Sequence, residues 1–358
     1  MLDEIDLLTR MVAIPSVSGD EEALASFVQA EARGWGLDAR RDELAVRIEV
    51  AGRAPGPTLA LVSHLDVVPP GKGWTREPFT PTVEGTRLYG RGSGDAKASV
   101  AAMLTAAADV AEAGGPERGR LLVLLGYGEE TKHTTMERAV EAAGAIDAAV
   151  VGEPTNLDVA VAQRGLMMVD LVADGHQRHA GYAAADGEFQ NAALVLAHDL
   201  IKLGALFSGR SHAVLGHTTA TPTMLEAGVS RNVTPPVAKA ILDIRSTPDW
   251  THDEVADVLR QSLQSNVVVT SQRLVPCETP AGSRLLSVAQ RVRPQAHTFG
   301  SPTCSDWVFL RHTDAIKCGP GTSRRSHTPD EYVDLPEVTA ARVFYGAVAL
   351  GYLGEAGA

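Results

Sequence analysis

Apolar residues change their period several times along the chain, and each change marks an element. Positions 3–14 and 21–34 repeat at helical spacing, with Leu24, Phe27 and Val28 on one face of the second segment. TLALVSHLD (58–66) is instead a short apolar run, the pattern of a buried strand. The glycine-rich stretch LYGRGSGDAK (88–97) leads into a helix, ASVAAMLTAAADVAEAGG, that stops on its glycines. RLLVLLGYGEE (120–130) reads as strand, TTMERAVEAAG as helix and DAAVVGEPT (147–155) as strand. Strands alternating with helices predict an α/β arrangement, a mainly parallel sheet with helices on both faces.

The period shifts near residue 165. LMMVDLVADG is a strand, EFQNAALVLAHDLIKLG a helix, ATPTMLEAG and AKAILDIRS two strands in succession, THDEVADVLRQSLQ a helix and NVVVTSQRL a strand. This βαββαβ order is that of a ferredoxin-like unit. SRLLSVAQRV (helix), DAIKCGPG (strand) and LPEVTAARVFYGAVALGYLG (helix) then resume the alternation. The expected architecture is an α/β domain over 1–164 and 275–358, interrupted by an α+β insert over 165–274.

Length and charge narrow the picture. A chain of 358 residues is long enough for two domains. Lys and Arg total 32 against 44 Asp and Glu, a formal charge of -12. That balance argues against nucleic-acid or membrane-surface partners, whose phosphates it would repel, and leaves cation binding open. MLDEIDLLTRMVAIPS carries acidic residues where a signal peptide would be positive, and no run reaches the roughly 18–20 apolar residues that span a bilayer. A cytoplasmic location is therefore expected. Cys277, Cys304 and Cys318 are odd in number and form no CxxC pair, so neither a disulfide framework nor a thiolate zinc site is indicated.

In an open α/β sheet, ligands bind outside the carboxyl ends of the strands. Polar residues collect at those ends here. His64 and Asp66 close the first strand, Asp95 lies in the glycine loop, Glu129 and Glu130 close the next strand, Glu153 closes the following one, and His327 comes after the last. Singly, each has an ordinary explanation: an exposed strand-end histidine, a solvated Glu-Glu pair, an Asx-turn at Asp95, a loop carboxylate at Glu153. Gathered in one crevice, so much negative charge calls for a counter-cation. Two histidines and three carboxylates suit zinc first, with cobalt or manganese as alternatives, and five ligands serve two ions when one carboxylate bridges them. Asp66 can orient the His64 imidazole. One of Glu129 and Glu130 can hold metal while the other acts as a base, because adjacent strand residues point to opposite sides.

SHLDVVP, YGRGSGDAK, GEE, VGEPT and SHTPDEYV, in that order and spacing, resemble the co-catalytic zinc aminoacylase and carboxypeptidase family. Its members include acetylornithine deacetylase, succinyl-diaminopimelate desuccinylase, carboxypeptidase G and several dipeptidases. The resemblance covers nearly the whole chain and implies two zinc ions per subunit. It makes Asp95 the bridging carboxylate, with His64 and Glu153 completing one metal site and Glu130 and His327 the other. It also implies Glu129 as general base, Asp66 as the residue orienting His64, and a cis Asp95–Ala96 peptide.

By the same resemblance the insert is a lid and dimerisation domain. GHQRHAG is similar to the family's lid motif, so His179 would reach the partner subunit's site in a homodimer and stabilise the oxyanion. Arg164 in AQRG, Asn232 in VSRNVTP and Arg245 in LDIRSTP would contact substrate, Arg245 by clamping a carboxylate with two hydrogen bonds. Gly319 and Gly321 of CGPG would form the backbone wall beside the scissile group. Three positions depart from the family pattern: Ala98 replaces a usual glycine, Arg178 a small residue, and Cys304 a frequent threonine, so Thr303 and Cys304 both stay open as the wall residue.

The implied reaction removes the acyl group from a small N-acyl amino acid. An N-acetylornithine-type deacetylase of arginine biosynthesis is favoured, ahead of a succinyl-diaminopimelate desuccinylase, a hydrolase releasing lysine or ornithine from a carrier protein, and a dipeptidase. A metal-binding homologue without catalysis is the rival from another class, and the presence of Glu129 speaks against it. A serine hydrolase has no G-x-S-x-G elbow to support it.

Overall fold

The structure is a computed structural model that describes residues 2–182 and 190–354. The chain divides into two compact units, one formed by Met1–Val161, Glu278–Phe299 and Ser305–Ala358, the other by Ala162–Cys277 and Gly300–Cys304.

In the first unit the strands lie in the order Asp38–Arg41, Ala45–Ala51, Arg120–Gly126, Thr58–His64, Ala148–Val151, Asp314–Lys317 and Val159–Gln163. The four strands from Arg120–Gly126 to Asp314–Lys317 are parallel, in a register that sets His64 beside Gly126 and Lys317 beside Val151. Thr58–His64 is buried at every position because both faces are covered. Leu59, Leu61, Leu121 and Val123 join the core formed with the helices Lys97–Glu112 and Leu335–Gly354. Ala60, Val62, Leu122 and Leu124 alternate with them and are buried as well, on the side where Met136 of Thr134–Ala143 packs on Gly126. Lys97–Glu112 is buried almost all round, and its run of alanines lets the neighbouring helix and sheet come close.

The strand expected over 120–130 ends at Gly126, so Glu129 and Glu130 sit in the turn that follows and their separation does not come from strand alternation. Two further features depart from the expected elements. Asp38–Arg41 and Ala45–Ala51 form an antiparallel hairpin at the sheet edge, its turn closed by Asp42 Oδ1 accepting from the Leu44 and Ala45 amides. A small sheet of Thr82–Glu84, Arg87–Tyr89 and Tyr332–Asp334 ties the stretch after His327 to the glycine loop. The sheet is thus mixed, with a parallel centre that carries the strand ends of interest.

The second unit is an antiparallel sheet in the order Thr219–Ala227, Val237–Arg245, Leu166–Asp174 and Asn266–Leu274, the ferredoxin-like arrangement. Met167, Val169, Leu171 and Ala173 alternate into its core with Ala238, Ala240, Leu242 and Ile244, under the helices Ala192–Leu206 and His252–Ser262. Asn191 caps the first helix through Ala193 N, and Thr251 forms a capping box with Glu254 on the second. The helix start predicted at Glu188 and Phe189 lies outside the described residues. Among the described residues, no helix is long and apolar enough to cross a membrane.

Candidate metal centre

His64 is delivered to the crevice by the end of its strand, and its side chain is almost fully buried. Nδ1 lies 3.0 Å from the Asp66 backbone carbonyl and 3.4 Å from Asp66 Oδ1, which puts the proton on Nδ1 and leaves Nε2 as the electron-pair donor. Nε2 is buried and has no hydrogen-bond partner among the described residues. It faces Asp95 Oδ1 at 3.4 Å and Glu153 Oε1 at 3.8 Å. Ligand atoms about 2.1 Å from a tetrahedral ion lie about 3.4 Å apart, so an orphaned nitrogen between two carboxylates at this spacing fits a divalent cation.

A second set shares Asp95. Its Oδ2 lies 3.8 Å from His327 Nε2, and His327 Nε2 is 2.8 Å from Glu130 Oε2. Donor atoms of His64, Asp95 and Glu153 lie within 4.8 Å of one another, and so do those of Asp95, Glu130 and His327. Asp95 belongs to both sets, and the Asp95–Ala96 peptide at the start of the following helix is cis. Burial pushes the Glu153 carboxyl up to about 8, with Asp95 and Glu130 adding to it against His64 and Lys317. Burial also raises Glu129 well above the carboxylate range, reinforced by Glu153, Asp306 and Glu130 and opposed by His64. His64 is held well above its ordinary value despite burial, by Asp66 and Asp95, and His327 is raised mainly by Glu130.

Asp66 does more than face His64. Its Oδ1 accepts from Glu129 N at 3.0 Å, and its Oδ2 from Glu130 N at 3.0 Å and Ser18 Oγ at 2.7 Å. Burial would raise this carboxylate, but His64 above all, with Ser18 and the Glu130 amide adding to it, holds it down at about 2. One carboxylate thereby sets the backbone of both glutamates. Glu331, buried and paired with Arg91 at 2.5 Å, does the same for the glycine loop by accepting from Gly92, Gly94 and Asp95 N. Neither arrangement is announced by spacing, since the partners are far apart in the chain.

Gly319 is pressed so closely against the Glu153 carbonyl and Ser99 Oγ that a Cβ would meet them at 2.6 and 2.5 Å. Gly321 takes φ +80 and donates to Glu337 Oε2 at 2.7 Å. These two glycines shape the chain beside Glu153. In the second unit, the Arg164 guanidinium donates to the carbonyls of His217 and Arg245 at 2.8 and 2.9 Å and to that of Leu215. Arg245 forms a two-point ion pair with Asp243. His179 is exposed, accepts from Gly181 N at 3.1 Å and bridges to Val233, beside Asn232, whose carbonyl accepts from Ala180 N. Cys304 Sγ and Cys277 Sγ each accept from Gln163 Nε2 at 3.9 Å, and Thr303 bonds with Ser301.

A mixed α/β unit whose strand ends and following loops carry two sets of candidate metal ligands, together with an antiparallel ferredoxin-like unit, is the arrangement of a metallohydrolase. Residues 60–350 match the profile of peptidase family M20/M25/M40, and the chain belongs to that family. It is 28% identical to succinyl-diaminopimelate desuccinylase 2 of Ruegeria sp., over 99% of this chain and 96% of that protein. It is likewise 28% identical to the succinyl-diaminopimelate desuccinylase of Rhizorhabdus wittichii, over 100% of both. Among solved structures, aminopeptidase PepT of Bacillus cereus superposes with a TM-score of 0.81 at 17% identity, covering 97% of each chain. The YXEP protein of Bacillus subtilis, described as a dinuclear metal-binding peptidase, gives 0.77 at 15% identity over 98% of this chain and 97% of that one. At such identities the structures establish the fold.

Proposed function

We propose that the protein is a dinuclear zinc amidohydrolase that removes a dicarboxylic acyl group, succinyl by preference, from the amino group of a small amino acid. The observation that carries this is the sharing of Asp95 between the His64–Glu153 and Glu130–His327 sets, with Glu129 alongside. Two bound divalent ions supply polarisation of the amide carbonyl and acidification of water. Glu129 takes the proton from the attacking water and passes it to the leaving amine, a role its buried setting suits. Asp66 keeps Glu129 and Glu130 in place and fixes the His64 tautomer.

A succinylated substrate is favoured over N-acetylornithine because relatives matched over nearly the whole chain include succinyl-diaminopimelate desuccinylases of several bacteria. Arg245 offers the guanidinium N–H groups that Asp243 does not use to a substrate carboxylate, and Arg164 holds the backbone at Arg245. Asn232, Gly319 and Gly321 complete the substrate contacts. Residues 165–274 act as a lid and dimerisation domain, the chain works as a homodimer, and His179 of each subunit serves the other's oxyanion. Support for the homodimer comes from Thr219–Ala227, an edge strand exposed along nearly its whole length, in which Met224 and Leu225 are exposed, as are Leu194 and Ile201 of the helix Ala192–Leu206.

The test is a hydrolysis panel for zinc-loaded protein. N-succinyl-diaminopimelate should give a higher kcat/KM than N-acetylornithine, N-acetylcitrulline or simple dipeptides. A clear preference for N-acetylornithine would overturn the acyl assignment, and inertness toward all of them would overturn the amidohydrolase itself.

A further inference from the structure

The segment after the glutamate pair, TKH, places a third acid–histidine group in the first unit, outside both sets of ligands. His133 Nδ1 lies 3.0 Å from Asp306 Oδ1 and 3.7 Å from Glu129 Oε1. All three side chains are largely buried, His133 at 12% exposure, Glu129 at 9% and Asp306 at 4%. With the proton on Nδ1 the ring donates to Asp306 Oδ1 and turns the same N–H edge toward Glu129 Oε1, which at 3.7 Å it attracts electrostatically without a hydrogen bond. The ring is tilted against Phe309, and the backbone is closed by His133 N donating to the Gly128 carbonyl at 2.9 Å and by Thr135 Oγ1 donating to that of Tyr127. His133 itself adopts φ 50, a left-handed conformation that a histidine adopts uncommonly.

Asp66 fixes the backbone of Glu129, while His133 faces its carboxylate. We infer that His133, anchored by Asp306, is a positioning residue that holds Glu129 Oε1 in the orientation from which it exchanges a proton with water. The inference rests on Glu129 being the base. It assigns His133 no contact with substrate and no ligand role: the imidazole acts only through Glu129.

Two substitutions separate the side chain from the left-handed turn. Glycine accepts φ 50 and lacks the donor, whereas asparagine accepts it and supplies an amide N–H. In the zinc-loaded full-length enzyme, His133→Gly should lower kcat by about 10²-fold, the scale of a misplaced catalytic group, with KM within about threefold and two zinc ions retained. Asp306→Asn should fall in the same direction. His133→Asn should recover most of the lost kcat. A kcat for His133→Gly within about twofold of the parent, on the same kinetic scale, would overturn the inference. So would equal losses in His133→Gly and His133→Asn, or loss of zinc from His133→Gly. The base assignment is tested separately by Glu129→Ala: full activity there removes the base, whereas an inactive Glu129→Ala beside an unimpaired His133→Gly removes only the positioning role.

Discussion

Asp199 and Glu153 are both buried carboxylates, one in each unit, and their surroundings are opposite. Asp199, inside the helix Ala192–Leu206, accepts from Gln264 N, from Ser265 N at 2.8 Å and from Ser265 Oγ at 2.7 Å. Burial alone would raise it, yet these donors hold it below its ordinary value. Glu153 is pushed to about 8 by burial and by the carboxylates it faces. A buried carboxylate ringed by donors is complete and structural; one ringed by carboxylates and an orphaned histidine nitrogen requires a cation. The same residue type therefore reads as architecture in one unit and as chemistry in the other.

The comparison can be broken at several points. Glu129→Ala should cost about 10²–10⁴-fold in kcat while leaving two metals bound, measured by steady-state kinetics and metal analysis together. Asp199→Ala should lower stability by about 3 kcal/mol in denaturant unfolding, because three donors lose their acceptor, and should leave metal content untouched. In the metal-free protein, Glu153 and His64 both have folded pKa values above their unfolded ones, so the folded state binds the extra protons. Their contribution is present in full below the unfolded values and is lost as pH rises through the folded ones. The Tm of the metal-free protein should accordingly fall between about pH 5 and 8, and zinc should flatten that slope. Thr251→Ala, which removes the capping box, should cost only about 1 kcal/mol in Tm or denaturant measurements and change neither metal binding nor turnover.

Much of this was legible in the residues. His64 stands at a strand end because a parallel strand with covered faces reads as an apolar run that stops abruptly; the run from Arg120 likewise stops, at Gly126, and Glu129 and Glu130 lie in the turn beyond it. The ferredoxin-like unit was legible from the doubled strand in its order, and Met167, Val169 and Leu171 keep the period of two that its core needs. The edge hairpin was missed because Arg47 and Glu49 alternate with Val46 and Ile48 in a half-covered strand, a weaker pattern than the central runs. The partners of Asp66, the loop clamp of Glu331 and the Asp306–His133 pair were invisible for a different reason. Each joins residues far apart in the chain through hydrogen bonds that exist only once the strands are aligned. Arg164 was expected to contact substrate and Arg245 to clamp a carboxylate; the protein partners the fold gives both guanidinium groups, three backbone carbonyls and Asp243, were not legible in their motifs.

The central claim is that one carboxylate, Asp95, completes two cation sites. Metal content by mass spectrometry after equilibration with zinc and desalting tests it directly, on the parent and on Asp95→Asn. The account predicts two zinc ions per chain in the parent and loss of both in Asp95→Asn, with unfolding still cooperative. A parent that holds no metal, or an Asp95→Asn protein that keeps both ions, would contradict it.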